Sequence, residues 1–194
     1  MLKTATRRFC SIRDNFIPPA AADKIEDFFI KKGILEWKYN NNKVGYEYNS
    51  ESGIDTDNLL DFQFTHVFFK LHALEPGGTR HIVSPQIDII KPILDTTQFL
   101  ALHRVKANLE PVKPDRYKSA WHYDVAMNKR PHPTMTTAIY YVNTCDGYTE
   151  FEDGTKVECI KNRFVRFPSN IKHRGVSQLD SKVKCVINVN YFEF

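Results

Sequence analysis

A His-x-Asp pair and a distant histidine form the most chemically informative pattern in the sequence. His122 and Asp124 are two residues apart in the segment Trp121-His122-Tyr123-Asp124, and His173 lies far downstream. On a β-strand, residues i and i+2 project from one face about 7 Å apart, within reach of a common ion. Two imidazoles and one carboxylate on one side of a metal are typical of non-haem Fe(II) sites. The pattern therefore predicts an Fe(II) site, and the lack of an evident fourth ligand disfavours structural zinc.

Other potential ligands lack this context. The remaining histidines are expected at the surface or at the edge of the core, and they are His66, His72, His81, His103 and His132. The cysteines form no CxxC pair and indicate free thiols in a reducing compartment, and they are Cys10, Cys145, Cys159 and Cys185.

The composition predicts one folded domain. The chain has 194 residues, of which 42% are hydrophobic and 26% are charged, and this excludes general disorder. No apolar run approaches the roughly 20 residues that span a bilayer, so we expect no membrane partner, and the free thiols predict a cytoplasmic location. The net charge of +4 leaves a nucleic-acid partner possible but not favoured. No signal specifies an oligomeric state.

The first half of the sequence predicts helices. Pro18–Lys32 begins with two prolines, carries apolar residues at helical spacing and ends before Gly33. Ser84–Thr97 predicts a second helix, kinked by Pro92. The polar stretch Tyr39–Asp57 predicts loop and turn, whereas the apolar stretch Leu59–Leu74 is compatible with helix or strand.

Short alternating runs separated by turn residues dominate after Phe99 and predict strands. These runs are Leu100–Leu109, Ala120–Ala126, Thr136–Asn143, Tyr148–Phe151, Arg163–Phe167 and Lys184–Phe192. Many short strands preceded by helices favour an α+β protein, mainly β, with a sandwich or barrel packed against helical support. We therefore expect residues 1–98 to form the helical support and residues 99–194 the β core of a single domain.

The last run has two chemically different faces. Lys184, Asn188 and Asn190 share one face, and the opposite face is apolar, with Cys185, Ile187, Val189 and Tyr191. Such a strand fits either a sheet with its polar face in water or a barrel with a polar, ligand-holding interior and helices outside. The predicted helices favour the barrel, because they need an apolar surface to pack on.

At this point the sequence resembles the 2-oxoglutarate- and Fe(II)-dependent dioxygenases, in particular the prolyl-hydroxylase-like branch with its small phage and bacterial members. The resemblance runs from Phe99 to Phe194. It rests on the segments RVKANL (104–109), WHYD (121–124), AIYYVN (138–143), GYTEFEDG (147–154), RFPSNIKH (166–173) and KCVINVNYF (184–192). It implies a double-stranded β-helix, the jelly-roll or cupin-like fold.

The resemblance also implies roles for individual residues. His122, Asp124 and His173 match the metal ligands. Lys184 matches the basic residue that pairs with the distal carboxylate of 2-oxoglutarate, although Lys182 is close enough to compete. Strand parity favours Lys184, because it shares a face with Asn188.

Three further residues match cosubstrate contacts. Tyr141 matches a tyrosine that binds the same carboxylate, and Asn188 matches a polar cosubstrate contact. Asn108 lies where relatives place a residue near the keto-acid end. Glu110, by contrast, stands where many prolyl hydroxylases have tyrosine, which departs from the usual pattern.

The implied activity couples oxidative decarboxylation of 2-oxoglutarate, with Fe(II) and O2, to hydroxylation of a prolyl residue or a small molecule. Loop 127–134 lies next to the predicted metal and is a candidate lid. Two alternatives stay open, because a fold does not fix a function: a cupin-like isomerase or sugar-modifying enzyme, and a catalytically silent binding protein.

Overall fold

An eight-stranded antiparallel sheet forms the largest element of the fold, which is described by a computed structural model over residues 9–44, 58–75, 78–127 and 130–194. Within these ranges, its strands are β1 (Ser11–Arg13), β2 (Lys38–Asn40), β3 (Gln63–Glu75), β4 (Gly78–Val83), β5 (Ala101–Pro111), β8 (Thr136–Tyr141), β11 (Phe164–Pro168) and β13 (Val183–Phe192). They are ordered β1-β11-β8-β13-β5-β3-β2, and β4 pairs with β3.

A smaller sheet packs against one part of the large one. It contains β9 (Tyr148–Phe151), β10 (Lys156–Glu158) and β12 (His173–Val176) in the order β10-β9-β12. Phe151 of the small sheet and Phe167 of the large sheet meet edge to face, with ring centroids 4.9 Å apart. A separate two-stranded ribbon joins β6 (Ala126–Met127) to β7 (Arg130–Pro131).

Helices cover the outer face of the large sheet. Helix α1 (Pro19–Glu26) continues into a π-helical turn (Asp27–Lys31), and Gly33 follows with a φ of +59°, a conformation that glycine adopts without strain. The second predicted helix is shorter than expected: a 3-10 turn (Ile87–Ile90) leads into α2 (Lys91–Thr96). Pro92 lies in the first turn of α2, where its missing N–H is tolerated, so it begins a helix rather than kinking one.

The alternation along β13 separates the helical side of the sheet from the inside. Cys185, Ile187 and Val189 are fully buried and pack in one cluster with residues of α1 and α2. Val105 and Ala107 of β5 belong to the same cluster. The polar residues of both strands therefore face inward, as the barrel interpretation predicts.

The structure adds detail to three sequence expectations. The stretch Leu59–Leu74, compatible with helix or strand, belongs to strand β3 from Gln63 onward, and Phe68 of this strand packs in the core cluster with residues of α1. Residues 120–126 do not form one regular strand, because His122 pairs with His173 through an isolated bridge and only Ala126 belongs to a strand, the short β6. Residues 1–98 contribute four strands to the large sheet in addition to helices.

The complete arrangement is a double-stranded β-helix, or jelly roll, supported by helices on one face, as the sequence predicts. Residues 1–8 and 128–129, and positions 45–57 of the predicted loop, lie outside the described ranges. Across the described residues, no helix is long and apolar enough to cross a membrane. All four cysteines are buried, and Cys145, Cys159 and Cys185 are free thiols.

Candidate active site

The three predicted metal ligands come together at one side of the jelly-roll interior. His122 and His173 form a bridge in which each backbone N–H donates to the other residue's carbonyl oxygen at 3.1 Å. Oδ1 of Asp124 lies 3.9 Å from Nε2 of His122 and 3.8 Å from Nε2 of His173. Among the described residues, this is the one group of His, Cys, Asp or Glu that could hold a metal, and its ligand atoms lie within 4.8 Å of one another.

Both histidines are fixed in the form that binds metals. Nδ1 of His122 donates to the carbonyl oxygen of Ala120 at 2.9 Å, and Nδ1 of His173 faces that of Ile171 at 3.4 Å. These contacts set the tautomer that carries its lone pair on Nε2, the nitrogen directed at Asp124. Burial, and then the neighbouring His173, lower the pKa of His122 to about 3, and burial also lowers the pKa of His173. Neutral rings with an oriented Nε2 are suited to metal binding.

Asp124 is held as an oriented carboxylate. Burial acts to raise its pKa, but the neighbouring His173 and Arg104 outweigh burial and keep the pKa well below its usual value. Asn188 donates through Nδ2 to both carboxylate oxygens, at 3.1 and 2.9 Å. Nη2 of Arg104 donates to the backbone oxygen of Asp124 at 2.9 Å. These contacts point the carboxylate at the histidines without a metal being needed to hold it.

The donor set and its surroundings fit Fe(II). Two imidazole nitrogens and one carboxylate are the ligands of the facial triad, which leaves further coordination positions for small molecules. The ligand atoms open onto a cavity of about 650 Å³, within the usual size of ligand pockets. The site thus combines a metal-binding group with space for a second and a third molecule.

Lys184 lines the same cavity and is buried. Its ammonium group donates to the carbonyl oxygen of Val176 and lies 3.1 Å from Oε2 of Glu110. Lys182, the alternative anchor, is exposed and does not line the cavity. Of the two lysines, the fold therefore brings Lys184 into the cavity.

Glu110 is shared by three lysines. Lys43 forms an ion pair with it, and the ammonium group of Lys113 lies 3.7 Å from Oε1. Burial acts to raise the pKa of Glu110, but Lys184 and then Lys43 outweigh burial and hold the pKa at about 2. Lys113 also interacts with the buried Asp61, so the three ammonium groups face two carboxylates. The remaining excess of positive charge favours the binding of an anion.

Tyr141 lies in the cavity wall near Lys184. Its hydroxyl donates to Oγ1 of Thr149 at 2.8 Å, and both side chains line the cavity. A Cβ atom on Gly175 would lie 3.7 Å from Nζ of Lys184 and 3.9 Å from Oγ of Ser119. The absence of a side chain at Gly175 thus keeps open the corner between the ammonium group of Lys184 and the hydroxyl group of Ser119.

The two predicted asparagines, Asn108 and Asn188, both line the cavity. Asn188 directs its amide at Asp124, as described above, and accepts a hydrogen bond from Nδ2 of Asn108 at 3.3 Å. Asn188 therefore holds the carboxylate of Asp124, and its contact with the cosubstrate stays a prediction. Asn108 lines the cavity, and its buried Oδ1 accepts no hydrogen bond from the described residues.

Several cavity residues were not singled out from the sequence as site residues. They are Lys43, Arg104, Lys106, Ser119, Tyr123 and Thr149. Arg104 and Lys106 share the inward face of β5 with Asn108, so strand parity could have found them. Strand parity could not predict that Tyr123 lines the cavity, because the segment around it is not a regular strand.

Comparison with known proteins gives matches in structure. No protein-family model matches the chain, and no curated protein matches it. The viral collagen prolyl hydroxylase from Paramecium bursaria Chlorella virus-1, in its 2-oxoglutarate complex, is 14% identical, with 99% of this chain and 100% of that chain covered and a TM-score of 0.55.

Two further solved structures are similar. A prolyl hydroxylase from Trichoplax adhaerens, in complex with a hypoxia-inducible-factor peptide, is 13% identical, with 96% of this chain and 84% of that chain covered and a TM-score of 0.58. The non-haem α-ketoglutarate-dependent epimerase SnoN from nogalamycin biosynthesis is 10% identical, with 96% and 77% covered and a TM-score of 0.60. These likenesses extend over nearly the whole chain. The chain therefore has the jelly-roll fold found in 2-oxoglutarate- and Fe(II)-dependent oxygenases.

Proposed function

We propose that the protein is a non-haem Fe(II) dioxygenase that couples oxidative decarboxylation of 2-oxoglutarate to hydroxylation of a second substrate. One observation carries the proposal: the His122, Asp124 and His173 ligand atoms and the buried Lys184 ammonium group line the same cavity. A metal chelator with a distal carboxylate, such as 2-oxoglutarate, matches both features at once.

His122, Asp124 and His173 would hold Fe(II), which supplies O2 activation when it is bound. The reaction consumes 2-oxoglutarate, O2 and a substrate C–H bond, and it yields succinate, CO2 and an alcohol. One oxygen atom enters succinate and the other enters the alcohol. The protein contributes position and charge, since Asn188 and Arg104 orient Asp124, while His173 is buried and His122 is half-buried.

Lys184 would bind the distal carboxylate of 2-oxoglutarate. Its ammonium group is already oriented by Glu110 and Val176, so little side-chain freedom is lost on binding. Ser119 lies at the same corner, and Tyr141, hydrogen-bonded to Thr149, lines the same cavity; both are suited to complete the carboxylate site. Asn108, with its buried carbonyl oxygen, would contact the ligand nearer the metal.

The second substrate would be a peptidyl group or a small molecule. The Trichoplax neighbour is solved with a peptide, and the epimerase neighbour is named for a biosynthetic reaction. We further propose that the reaction takes place in the cytoplasm and that the chain acts as one domain, with residues 1–98 supporting the core of residues 99–194.

Succinate formation tests this function. Purified protein with Fe(II), 2-oxoglutarate and air should form succinate, and His122→Ala should abolish it. Lys184→Ala should raise the 2-oxoglutarate concentration needed for half-maximal rate by at least tenfold, whereas Lys182→Ala, on the exterior, should match the wild type. A cupin-like isomerase would convert its substrate without consuming 2-oxoglutarate, and a silent binding protein would form no succinate, so either result contradicts the proposal.

A further inference from the structure

The cavity contains a second cation, Lys106, close to the candidate metal site. Strand β5 places Lys106 on the inward face together with Asn108 and Arg104. In the register between β5 and β13, Lys106 lies opposite Asn188, the residue whose amide binds Asp124. Lys106 thus lies near the carboxylate of Asp124. Along β5, Asn108 separates it from Glu110.

The charges around Lys106 are unbalanced. The guanidinium group of Arg104 donates hydrogen bonds to Oδ1 of Asn190 at 3.0 Å and to the backbone oxygen of Asp124 at 2.9 Å. Asp124 would be neutralised by the metal itself. In the described part of the chain, the ammonium group of Lys106 makes neither a hydrogen bond nor an ion pair. One positive charge on the cavity wall is therefore left for a ligand.

The surroundings make an uncharged occupant unfavourable. Burial, and then the neighbouring charge of Arg104, lower the pKa of Lys106 to about 8, whereas the carboxylate of Asp124 acts to raise it. An apolar group that filled this side of the cavity would desolvate the ammonium group without giving it a partner. An anion restores the lost solvation by direct pairing.

The cosubstrate does not account for this charge. The distal carboxylate of 2-oxoglutarate has its own cation in Lys184, which is supported by Lys43 and Lys113 around Glu110. A single unit charge at Lys106 matches the single negative charge of a carboxylate. Two amide side chains, those of Asn108 and Asn188, adjoin Lys106 in the cavity wall and can bind the polar groups of a small acid.

We propose that the second substrate of the enzyme is a carboxylic acid whose carboxylate pairs with Lys106, which makes Lys106 the residue that sets substrate class. This inference rests on the proposed function, because it assumes that 2-oxoglutarate occupies the Lys184 side of the cavity. It favours a free amino acid or a related small acid over a neutral peptidyl proline.

Calorimetric binding tests the inference apart from turnover. The wild-type protein is loaded with Mn(II) in place of Fe(II) and saturated with 2-oxoglutarate, and it is then titrated with each free L-amino acid and with the matching L-amino-acid carboxamide. We expect at least one acid to bind at least tenfold more tightly than its carboxamide. Lys106→Met should remove that preference and Lys106→Arg should retain it. Lys182→Met, a lysine change on the exterior, should bind as the wild type does.

The outcomes separate the two proposals. If 2-oxoglutarate itself does not bind to the Mn(II)-loaded wild type, the proposed function fails and this inference fails with it. If 2-oxoglutarate binds but no acid does, if acids and carboxamides bind equally, or if Lys106→Met keeps the preference, the inference alone is overturned. A Lys106→Met variant with weaker 2-oxoglutarate binding and an unchanged acid preference would assign Lys106 to the cosubstrate, and this too overturns it. Thermal melting of each variant establishes that it is folded.

Discussion

Lys184 and Glu110 lie directly opposite each other on paired strands β13 and β5, and Nζ of Lys184 is 3.1 Å from Oε2 of Glu110. Both side chains are buried, and Glu110 also contacts Lys43 and Lys113. The candidate cosubstrate anchor is therefore part of a charge cluster that exists before any ligand binds. Glu110 holds the ammonium groups together, and their excess charge is available to an acid.

Removal of the Glu110 charge should destabilise the fold. Glu110→Gln leaves three lysines close together without their shared carboxylate, and breaking a buried ion pair costs about 3–5 kcal/mol. We expect the free energy of unfolding, measured by urea denaturation, to fall by about 3 kcal/mol. Glu158→Gln is the matched control, because Glu158 is exposed and its contact with Arg163 spans 3.9 Å. Equal stability of the two variants would show that the lysines do not depend on Glu110.

The same carboxylate should make stability depend on acid pH. Its folded-state pKa is about 2, below the ordinary value of 4.5, so the unfolded chain takes up the proton first as the pH falls. The stabilisation by Glu110 is present above about pH 4.5 and is lost as the pH falls toward 2. The difference in unfolding free energy between wild type and Glu110→Gln should therefore shrink across this window. A difference that stays constant from pH 5 to pH 2.5 would contradict the assignment.

Asn188 should act on metal affinity through Asp124. Its two hydrogen bonds, at 3.1 and 2.9 Å, orient the carboxylate, and loss of such an outer contact typically lowers metal affinity 10–100-fold. We expect Asn188→Ala to weaken Mn(II) binding, followed by electron paramagnetic resonance, by roughly tenfold or more. Asn170→Ala, at an exposed position in the turn before His173, controls for asparagine loss near the site. Unchanged Mn(II) affinity in Asn188→Ala would mean that Asp124 is oriented without it.

Gly175→Ala should separate cosubstrate binding from folding. The new methyl group would make ordinary contacts, at 3.7 Å from Nζ of Lys184 and 3.9 Å from Oγ of Ser119, so the fold has room for it. It would occupy the corner where the distal carboxylate of 2-oxoglutarate is expected. The apparent affinity for 2-oxoglutarate should fall about tenfold, a free-energy change of about 1.4 kcal/mol. The melting temperature and Mn(II) affinity should stay as in the wild type, and a variant that binds 2-oxoglutarate normally would place the carboxylate elsewhere.

Strand parity explains why much of the site could be predicted from the sequence. The alternation along β13 placed Lys184 and Asn188 on one face and Ile187 on the other, and the structure has them in the cavity and in the helix-packed core. Parity assigns a face but no partner. Parity therefore placed Asn188 in the cavity but did not indicate that its amide binds Asp124.

Local sequence patterns could not predict the contacts between segments that are distant in the chain. Lys43 reaches Glu110 from a loop far away in the chain, and no periodic signal connects the two. Strand β3 was ambiguous because apolar residues such as Phe64 and Phe68 lie along a stretch long enough for either structure. The chain around Asp124 leaves strand geometry after His122, since Arg104 binds the Asp124 backbone oxygen. Pairing across the tertiary structure, rather than propensity, decides all three.

The central claim is that His122, Asp124 and His173 hold a metal and that 2-oxoglutarate binds between this metal and Lys184. Anaerobic addition of 2-oxoglutarate to the Fe(II)-loaded protein tests this claim most directly. Chelation of Fe(II) by a 2-oxo acid should produce a weak visible charge-transfer band that saturates at one 2-oxoglutarate per protein. The band should be absent in His122→Ala and Asp124→Ala, and it should require higher 2-oxoglutarate in Lys184→Ala. A wild-type protein without this band, or a band of equal strength in the His122 and Asp124 variants, would contradict the account.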